Sequence, residues 1–305
     1  MNVLLTGATG FLGRHLKKRL VSLNHSVFIS NTKIANLEKE SNLYIYNEVK
    51  FDIIFHLAAI TSSSDVSHNQ QLDTNNIINS NIISYWKNHQ KDAKLICFGT
   101  TASYAPGVEM KEENYFMKEP EEKYKLYSIS KRKMLKDLQE VKDKNLKWLY
   151  LISSTMYGPN FDLDDDRYLY DFIRNCYRSK STEESFSIWG TGENIRELMY
   201  VEDAIERILY ASKLNNEVIN IGNKKEYSIN CIVEKVCKQM YYDFTLVQRD
   251  ETREVGMKRK SINTSKFDRL SRDHTFLNTD LETGLKKTIK YYKKALTNPK
   301  YYDII

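Results

Sequence analysis

Residues 3–14 have the sequence VLLTGATGFLGR, and this stretch decides the fold. A short apolar run leads directly into three glycines spaced three residues apart, at positions 7, 10 and 13, and then into leucines at helical spacing. A strand, a tight glycine turn and a helix in this order let the backbone approach a pyrophosphate and point the helix N-terminal amides at it. The stretch therefore predicts a dinucleotide-binding turn.

Short aliphatic runs alternate with longer amphipathic stretches along the rest of the chain. The six predicted strands are Val3–Thr6, Val27–Ser30, Ile53–Leu57, Leu95–Gly99, Trp148–Ser153 and Val218–Ile221. The clearest predicted helices are Tyr127–Lys142, Val201–Leu214 and Leu281–Ala295. This alternation is typical of βαβ units. It predicts an α/β fold with a Rossmann-type, doubly wound parallel sheet.

The sequence pattern changes after Pro159, where the regular succession of short aliphatic runs weakens and a polar, acidic and then aromatic segment begins. We therefore expect a second, smaller lobe that is discontinuous in sequence. The predicted division assigns residues 1–159 plus about 201–222 to an NAD(P)-binding Rossmann domain, and about 160–200 plus 223–305 to the second lobe.

Composition and charge exclude several classes of protein. With 11 glycines and 4 prolines among 305 residues, the chain is neither collagen-like nor linker-rich. Its net charge of +6 comes from basic clusters that are scattered without interleaved aromatic residues, which is typical of solvated helix faces rather than of a nucleic-acid surface. No apolar run approaches the ~20 residues that span a bilayer.

The cysteines and aspartates do not indicate a metal site. Four cysteines lack C-x-x-C spacing, so neither zinc nor a disulfide framework is expected. The aspartates at positions 162 and 164–166 are more typical of a solvated loop or helix cap than of a cation site. No basic segment precedes the first strand as in a signal peptide. We therefore expect a soluble, cytoplasmic protein without metal or membrane partners.

The end of the second predicted strand bears on the choice of dinucleotide. An acidic side chain there would bind the ribose diol of NAD, but no carboxylate follows Ser30 until Glu38. This removes repulsion towards a 2′-phosphate, to which Arg14 and Lys33 add positive charge. The sequence therefore favours NADP(H) over NAD(H).

Tyr127 and Lys131 are spaced so that they lie one turn apart on one face of a predicted helix. A nearby ammonium favours the phenolate and lowers a tyrosine pKa, which suits Tyr127 to exchange a proton with a carbonyl or alcohol. Thr100 follows a buried strand, where its hydroxyl is placed to hold the reacting oxygen; the alternative is a turn that caps the strand. His56 lies inside an apolar strand and is expected to be a core residue.

These residues and further motifs resemble the extended short-chain dehydrogenase/reductase superfamily, in its NAD(P)-dependent epimerase/dehydratase branch. The motifs that carry the resemblance are Gly7-x-x-Gly10-x-x-Gly13, His56-Leu-Ala-Ala59, Thr100, Tyr127-x-x-x-Lys131, Met156-Tyr-Gly-Pro159, Ile188-Trp-Gly-Thr-Gly192, Arg196-Glu-Leu-Met-Tyr200 and Asn220-Ile-Gly222. The resemblance covers nearly the whole chain. It implies a Rossmann domain, a lobe that binds a nucleotide-diphospho-sugar, and a homodimer.

Pattern and resemblance together give the candidate site residues. The implied catalytic residues are Thr100, Tyr127 and Lys131. The candidate cofactor-binding residues are Gly7, Thr9, Gly10, Phe11, Leu12, Gly13, Arg14, Asn31, Lys33, Leu57, Ala58, Ala59, Asn75, Tyr127, Lys131, Ser154 and Thr155. The implied substrate-binding residues are Thr101, Trp189, Arg196 and Arg259.

Departures from the family's patterns indicate the reaction. The 4,6-dehydratases have an Asp-Glu pair directly after the catalytic threonine, where this chain has Thr101 and Ala102. The chain is more similar to the GDP-fucose synthase group, which uses a cysteine and a histidine to move protons at C3 and C5; here Ala102 and Arg167 stand at those positions. We therefore expect NADPH-dependent reduction at C4 of a nucleotide-diphospho-4-keto-6-deoxy sugar without C3/C5 epimerisation. The alternatives are an NAD-dependent nucleotide-sugar 4-epimerase and a non-catalytic NADP(H)-binding sensor.

Overall fold

The computed structural model describes residues 1–61, 67–182 and 184–298, apart from the side chain at position 68. In these ranges the strands are β1 (Asn2–Thr6), β2 (Ser26–Ser30), β3 (Ile53–His56), β4 (Lys94–Thr100), β5 (Lys147–Ser153), β6 (Thr155–Tyr157), β7 (Ser187–Trp189), β8 (Ile195–Tyr200), β9 (Glu217–Ile221), β10 (Glu226–Ser228), β11 (Gln248–Asp250) and β12 (Arg259–Lys260). The α-helices there are α1 (Phe11–Ser22), α2 (His68–His89), α3 (Lys125–Gln139), α4 (Tyr168–Thr182), α5 (Val201–Ala211), α6 (Ile229–Met240), α7 (Ser265–Leu270) and α8 (Leu281–Thr297). No helix in the described part of the chain is long and apolar enough to cross a membrane.

Six strands form one parallel sheet in the order β2-β1-β3-β4-β5-β9. They are the six strands predicted from the sequence, each within about one residue of its predicted bounds, so the Rossmann-type parallel sheet is confirmed. The chain changes direction across the sheet at β1, because β2 lies on one side of β1 and β3 on the other. In open parallel sheets, ligands bind beyond the carboxyl ends of the strands at such a switch point.

The central strands are buried on both faces, which accounts for their continuous apolar sequence. Leu4 in β1, Phe55 in β3 and Ile96 in β4 are all fully buried. Helices α2 and α3 pack against each other, and α3 also packs against β4. This core fixes the carboxyl ends of β1, β3 and β4, from which the candidate cofactor and catalytic residues extend.

The chain divides into two compact units. The first takes its described residues from 1–153, 205–221 and 263–275, and the second from 154–204, 222–262 and 276–298. The sequence-based division had assigned residues 263–275, which include α7, to the second lobe. They belong to the first unit because α7 packs against β9, where Lys266 Nζ donates a hydrogen bond to the Val218 carbonyl at 2.9 Å.

The second unit is built around β8, which pairs with β10 in antiparallel and with β6 and β12 in parallel orientation. Strands β7 and β11 form a separate parallel pair. Helix α6 packs against α4 and α8. Helix α4 lies in the segment after Pro159, for which the sequence analysis predicted no helix. Its apolar side chains face inward at helical spacing.

Candidate active site

The glycine turn between β1 and α1 has the features of a pyrophosphate cradle. Gly7 has a φ of +68°, and a Cβ there would lie 2.6 Å from the Ala58 amide nitrogen. A Cβ on Gly13 would clash with the Gly7 carbonyl oxygen. A Cβ on Gly10, by contrast, would make only an ordinary contact at 3.5 Å, so packing within the chain does not require glycine at this position. The close approach of a pyrophosphate to the backbone would require it. These residues therefore fit a bound dinucleotide.

Helix α1 continues directly from this turn. Its N-cap is Gly10, which has no side chain to bond the first amides, so those amides remain directed at the turn. The Arg14 guanidinium donates a hydrogen bond to the Thr9 carbonyl. The Phe11 ring packs edge-on against His15 at 5.3 Å, and Leu12 follows it in the first turn of the helix. The candidate residues from Gly7 to Arg14 thus lie along the glycine turn and the first turn of α1.

The turn after β2 holds the residues expected beside the adenosine ribose. Asn31 Oδ1 accepts hydrogen bonds from the backbone amides of Lys33 and Ile34, both at 2.9 Å, so its side chain shapes this loop. The Lys33 side chain is exposed. Glu38, the first carboxylate after the strand, accepts a hydrogen bond from Asn36 Nδ2 at 3.5 Å. The loop therefore presents a cation and no carboxylate directly after β2.

A buried chain of hydrogen bonds fixes the segment after β3. The Thr6 hydroxyl accepts from the Ala58 amide at 3.2 Å and lies 2.9 Å from His56 Nδ1, while His56 Nε2 lies 2.9 Å from Asn79 Oδ1. Because an amide oxygen only accepts, the His56 proton is on Nε2, and Nδ1 accepts from Thr6. Burial, and then the charge of Lys131, lowers the pKa of His56 to about 3. His56 is therefore a neutral core residue, as expected, and it positions Ala58.

Asn75 holds the same segment from helix α2. Its Oδ1 accepts from the Ile60 amide at 2.8 Å, and its Nδ2 donates to the Ile60 carbonyl at 2.9 Å. The Gln71 amide donates to the same carbonyl at 3.3 Å. At the start of the segment, the Leu57 amide donates to the Thr6 carbonyl at 3.3 Å. Asn75 thus acts on residues 57–60, which include Ala58 and Ala59, by fixing their backbone.

Thr100 ends β4 and begins a short 3-10 turn. Its hydroxyl oxygen accepts a hydrogen bond from the Ala102 amide at 3.2 Å, so the capping role that the sequence left as an alternative is present. This bond uses a lone pair and leaves the hydroxyl proton available to donate. Capping and a catalytic role are therefore compatible. Thr101, the next residue, is buried in the turn.

Tyr127 and Lys131 lie on one face of α3, with Lys131 Nζ 5.7 Å from the centre of the Tyr127 ring. Burial, and then Tyr115, raises the pKa of Tyr127, so the lowering expected from the sequence is wrong for this chain. Burial also lowers the pKa of Lys131 to about 8, which weakens the ammonium that would favour a phenolate. Tyr127 is consequently a neutral phenol at pH 7, the form that donates a proton.

Several side chains that the sequence analysis missed tie α3 to the turn after Thr100. Arg132 donates to the Ser103 carbonyl from Nε at 3.1 Å and from Nη2 at 2.6 Å. Ser128 Oγ donates to the Ala102 carbonyl at 3.0 Å, and Tyr150 Oη donates to the Lys131 carbonyl at 2.8 Å. Arg132 belongs to the basic cluster Lys131-Arg132-Lys133, a pattern expected on a solvated helix face, whereas the structure buries it. These bonds hold the two catalytic candidates of α3 against β5 and the turn after β4.

Ser154 and Thr155, the remaining cofactor candidates, lie at the start of the second unit. Thr155 opens β6 and pairs with Leu198 of β8. The Ser154 hydroxyl is buried and has no hydrogen-bond partner within the described ranges. A buried hydroxyl without a partner costs free energy unless a ligand satisfies it, so Ser154 is suited to a ligand contact.

The three substrate candidates of the second unit differ in how they are held. Trp189 is 51% exposed, and the Arg253 guanidinium lies 5.3 Å from its ring centre. Arg196 donates from Nη1 to the carbonyls of Ile195 and Met257, and from Nη2 to that of Val255. These bonds fix the guanidinium of Arg196 in one orientation.

The third substrate candidate, Arg259, is engaged by a carboxylate. Its Nη2 lies 2.6 Å from Glu226 Oε1, on an exposed part of the surface. Strand register places Arg259 opposite Ile195, next to Arg196. A ligand phosphate would therefore have to compete with Glu226 for this guanidinium.

Arg167 is the residue that replaces a histidine in the sequence comparison with the GDP-fucose synthase group. Asp165 binds its Nη2 at 2.6 Å, and its Nη1 donates to the Met156 carbonyl at 3.2 Å. Burial lowers the pKa of Arg167, but Tyr170 and the Asp165 carboxylate raise it overall. Within the described ranges, no cluster of three or more His, Cys, Asp or Glu side chains is arranged to hold a metal ion. Asp165 in the acidic segment therefore serves to hold the Arg167 guanidinium in place.

Comparison with known proteins identifies the family. Residues 3–222 match the profile of the NAD dependent epimerase/dehydratase family. GDP-L-colitose synthase from Yersinia pseudotuberculosis is 26% identical over 98% of this chain and 100% of its own length, and UDP-glucuronic acid decarboxylase 1 from Xenopus tropicalis is 24% identical over 96% and 72%. A crystal structure of a GDP-L-fucose synthetase from Naegleria fowleri superposes with a TM-score of 0.86 at 19% identity, over 97% of this chain and 94% of that one. The match to the family profile covers most of the chain, and the protein is a member of the NAD dependent epimerase/dehydratase family of enzymes.

Proposed function

We propose that the chain reduces the C4 keto group of a nucleotide-diphospho-4-keto-6-deoxy sugar with NADPH, and that it does not epimerise C3 or C5. The observation that carries this proposal is the pairing of a complete Thr100–Tyr127–Lys131 set with the loss of both proton-shuttling residues. Ala102 has no acidic proton, and Arg167 is held protonated by Asp165. Hydride chemistry is thus supported without proton exchange at carbon.

The protonation state of Tyr127 supports the reducing direction. When bound, the nicotinamide cofactor supplies the hydride at C4. The keto oxygen then needs a proton, and the neutral phenol of Tyr127 donates it as the C4 alkoxide forms. The Thr100 hydroxyl, with its proton free of the bond to Ala102, orients the same oxygen. The charge of Lys131 favours the phenolate that Tyr127 becomes.

Two observations support NADP(H) and a guanosine nucleotide. The loop after β2 exposes Lys33 and has no carboxylate until Glu38, which suits a 2′-phosphate. The relative that is 26% identical over nearly the whole chain is named GDP-L-colitose synthase. We therefore propose a GDP-linked 4-keto sugar as the substrate.

The first experiment follows NADPH loss at 340 nm with GDP-, CDP-, UDP- and dTDP-linked 4-keto-6-deoxy sugars. We expect turnover with the GDP sugar, and Tyr127→Phe should lower it by about 10²- to 10⁴-fold. Tyr44→Phe is the matched control, because Tyr44 is exposed on a surface turn. Unchanged turnover in Tyr127→Phe would refute the catalytic assignment.

Proton exchange separates reduction from epimerisation. The enzyme is incubated with the keto sugar in D₂O before NADPH is added, and the product is analysed by mass spectrometry against substrate kept without enzyme. We expect no deuterium on carbon beyond that control, because neither Ala102 nor Arg167 can act as a base. Enzyme-dependent deuterium at C3 or C5 would contradict the proposal.

The as-purified protein tests the remaining alternative, an NAD-dependent 4-epimerase, which would retain its cofactor. We expect tighter binding of NADPH than of NADH and no stoichiometric NAD in the purified protein. Bound NAD with interconversion of C4 epimers would replace reduction by epimerisation as the function.

A further inference from the structure

Tyr168, the first residue of α4, has a hydroxyl that the protein buries without using. This hydroxyl has no hydrogen-bond partner in the part of the chain that the structure describes. Its ring packs against Phe172 at 5.7 Å, so the side chain is fixed in place. A buried hydroxyl without a partner destabilises the fold, and a phenylalanine would avoid that cost. The hydroxyl is therefore suited to a ligand rather than to the fold.

The charges near Tyr168 indicate what kind of ligand. Burial raises the pKa of the Tyr168 hydroxyl, and the positive charges of Arg196 and then Arg167 oppose that rise. Arg196 is held by three backbone carbonyls, and Arg167 by Asp165. A donor hydroxyl beside fixed guanidinium groups is complementary to an anionic oxygen, because charge-assisted hydrogen bonds to phosphate are stronger than neutral ones.

Tyr200 in the same unit provides a comparison. Its hydroxyl is also buried without a partner among the described residues. Burial raises its pKa, and the carboxylates of Glu202 and Asp203 raise it further. Lys287 lies 5.0 Å from the ring centre, but it is also within 3.4 Å of Glu202. The two tyrosines thus both have a buried hydroxyl without a partner among the described residues, and they differ in the sign of the charges that act on it.

We propose that Tyr168 is a substrate-binding residue whose hydroxyl donates a hydrogen bond to a phosphate oxygen of the nucleoside diphosphate that Arg196 holds. This inference rests on the nucleotide-sugar substrate of the proposed function. It adds a neutral donor to the cation at this site. A phosphate oxygen satisfies the Tyr168 hydroxyl, whereas the carboxylates near Tyr200 would repel an anion.

The test measures binding rather than turnover. Calorimetric titration with GDP, UDP, CDP and dTDP identifies the diphosphate that the wild type binds most tightly, and that ligand is then titrated into Tyr168→Phe and Tyr200→Phe. Loss of a charge-assisted hydrogen bond should weaken binding to Tyr168→Phe by about 10- to 100-fold. Binding to Tyr200→Phe should stay within about twofold of the wild type. Both variants should melt at or above the wild-type temperature, because each removes an unpaired buried hydroxyl.

The nucleoside of the same base, which lacks phosphates, locates the contact. Its affinity should be the same for wild type and Tyr168→Phe. The inference is overturned if Tyr168→Phe binds the diphosphate as tightly as the wild type does, or if Tyr200→Phe loses as much affinity for it as Tyr168→Phe. It is also overturned if Tyr168→Phe loses as much affinity for the nucleoside as for the diphosphate, or if none of the four diphosphates binds the wild type at millimolar concentration. A chain that binds the diphosphate through Tyr168 but does not oxidise NADPH with any keto sugar would refute the proposed reduction and leave this inference standing.

Discussion

Replacing Lys131 by methionine should stabilise the fold at neutral pH while it removes a catalytic candidate. Lys131 is only 3% exposed, and burial lowers its pKa from 10.5 to about 8. The titratable groups that interact with it do not offset its charge. Burial holds the His56 ring neutral, with a pKa of about 3, and raises the pKa of the Cys97 thiol to about 12. At pH 7 the part of the folded chain that the structure describes therefore contains a buried ammonium without a counter-charge.

The magnitude follows from linkage. The difference between 10.5 and about 8, at 1.36 kcal/mol per pKa unit, corresponds to about 3 kcal/mol. Below pH 8, Lys131 is protonated in both the folded and the unfolded chain, and the full cost of burying the charge is present. Between pH 8 and 10.5 only the unfolded chain keeps the proton, so the stability contribution of Lys131 rises with pH. The advantage of Lys131→Met over wild type should shrink by about 3 kcal/mol across this range.

Urea denaturation at pH 7, 8, 9 and 10 measures this difference. Tryptophan fluorescence is a suitable signal, because Trp86 and Trp148 are both buried in the unit that contains Lys131. Lys136→Met is the control, since Lys136 is exposed on the same helix, and its stability difference from wild type should not change with pH. A pH-independent difference for Lys131→Met would refute the reasoning, because it would mean that the ammonium carries no burial cost.

Three further substitutions test the glycine turn and the first unit. Gly13→Ala should lower the melting temperature, because the new Cβ would clash with the Gly7 carbonyl. Gly10→Ala should fold normally but bind NADPH more weakly, as measured by nucleotide fluorescence. Normal NADPH affinity in Gly10→Ala would contradict the assignment of this turn as a pyrophosphate cradle. Asn220→Ala should lower the free energy of unfolding, measured by urea denaturation, by about 2–4 kcal/mol. The substitution removes the acceptor of the buried Tyr104 hydroxyl at 2.7 Å and two hydrogen bonds to backbone carbonyls. A loss below about 1 kcal/mol would show that water or a shift of the backbone replaces these bonds.

The central sheet was predictable because its strands are buried on both faces. Runs such as Ile53–Leu57 are apolar throughout, and that signal is local in sequence. Helix α4 was not predicted, although Leu169, Phe172, Ile173 and Cys176 recur at helical spacing, because the acidic stretch before it and the polar residues between these positions masked the pattern. The return of residues 263–275 to the first unit was also hidden, because it depends on contacts with β9 about 50 residues away.

The positions of candidate site residues were predictable where a sequence motif fixes their geometry. Their pKa values and hydrogen-bond partners were not predictable, because these depend on burial in the folded chain. Spacing alone placed Tyr127 and Lys131 on one helical face. The direction of the Tyr127 pKa depends on desolvation, which no local pattern reveals. Tyr168 is one of 21 tyrosines, and what distinguishes it is a buried hydroxyl without a partner among the described residues together with the positive charges of Arg196 and Arg167. Arg132 similarly resembled its exposed neighbour Lys133 in sequence, and only the structure shows its hydrogen bonds to the Ser103 carbonyl.

The hydrogen bonds of Arg167 affect how a protein of this family could evolve from one reaction to another. Under the proposed function, a gain of epimerisation would require proton-exchanging side chains at both position 102 and position 167, so no single substitution suffices. Removing Arg167 would also leave the Asp165 carboxylate without its cation and the Met156 carbonyl without its donor. An evolutionary path from reductase to epimerase would therefore pass through a less stable intermediate, and laboratory evolution towards epimerisation should select a change at Asp165 before or together with one at Arg167.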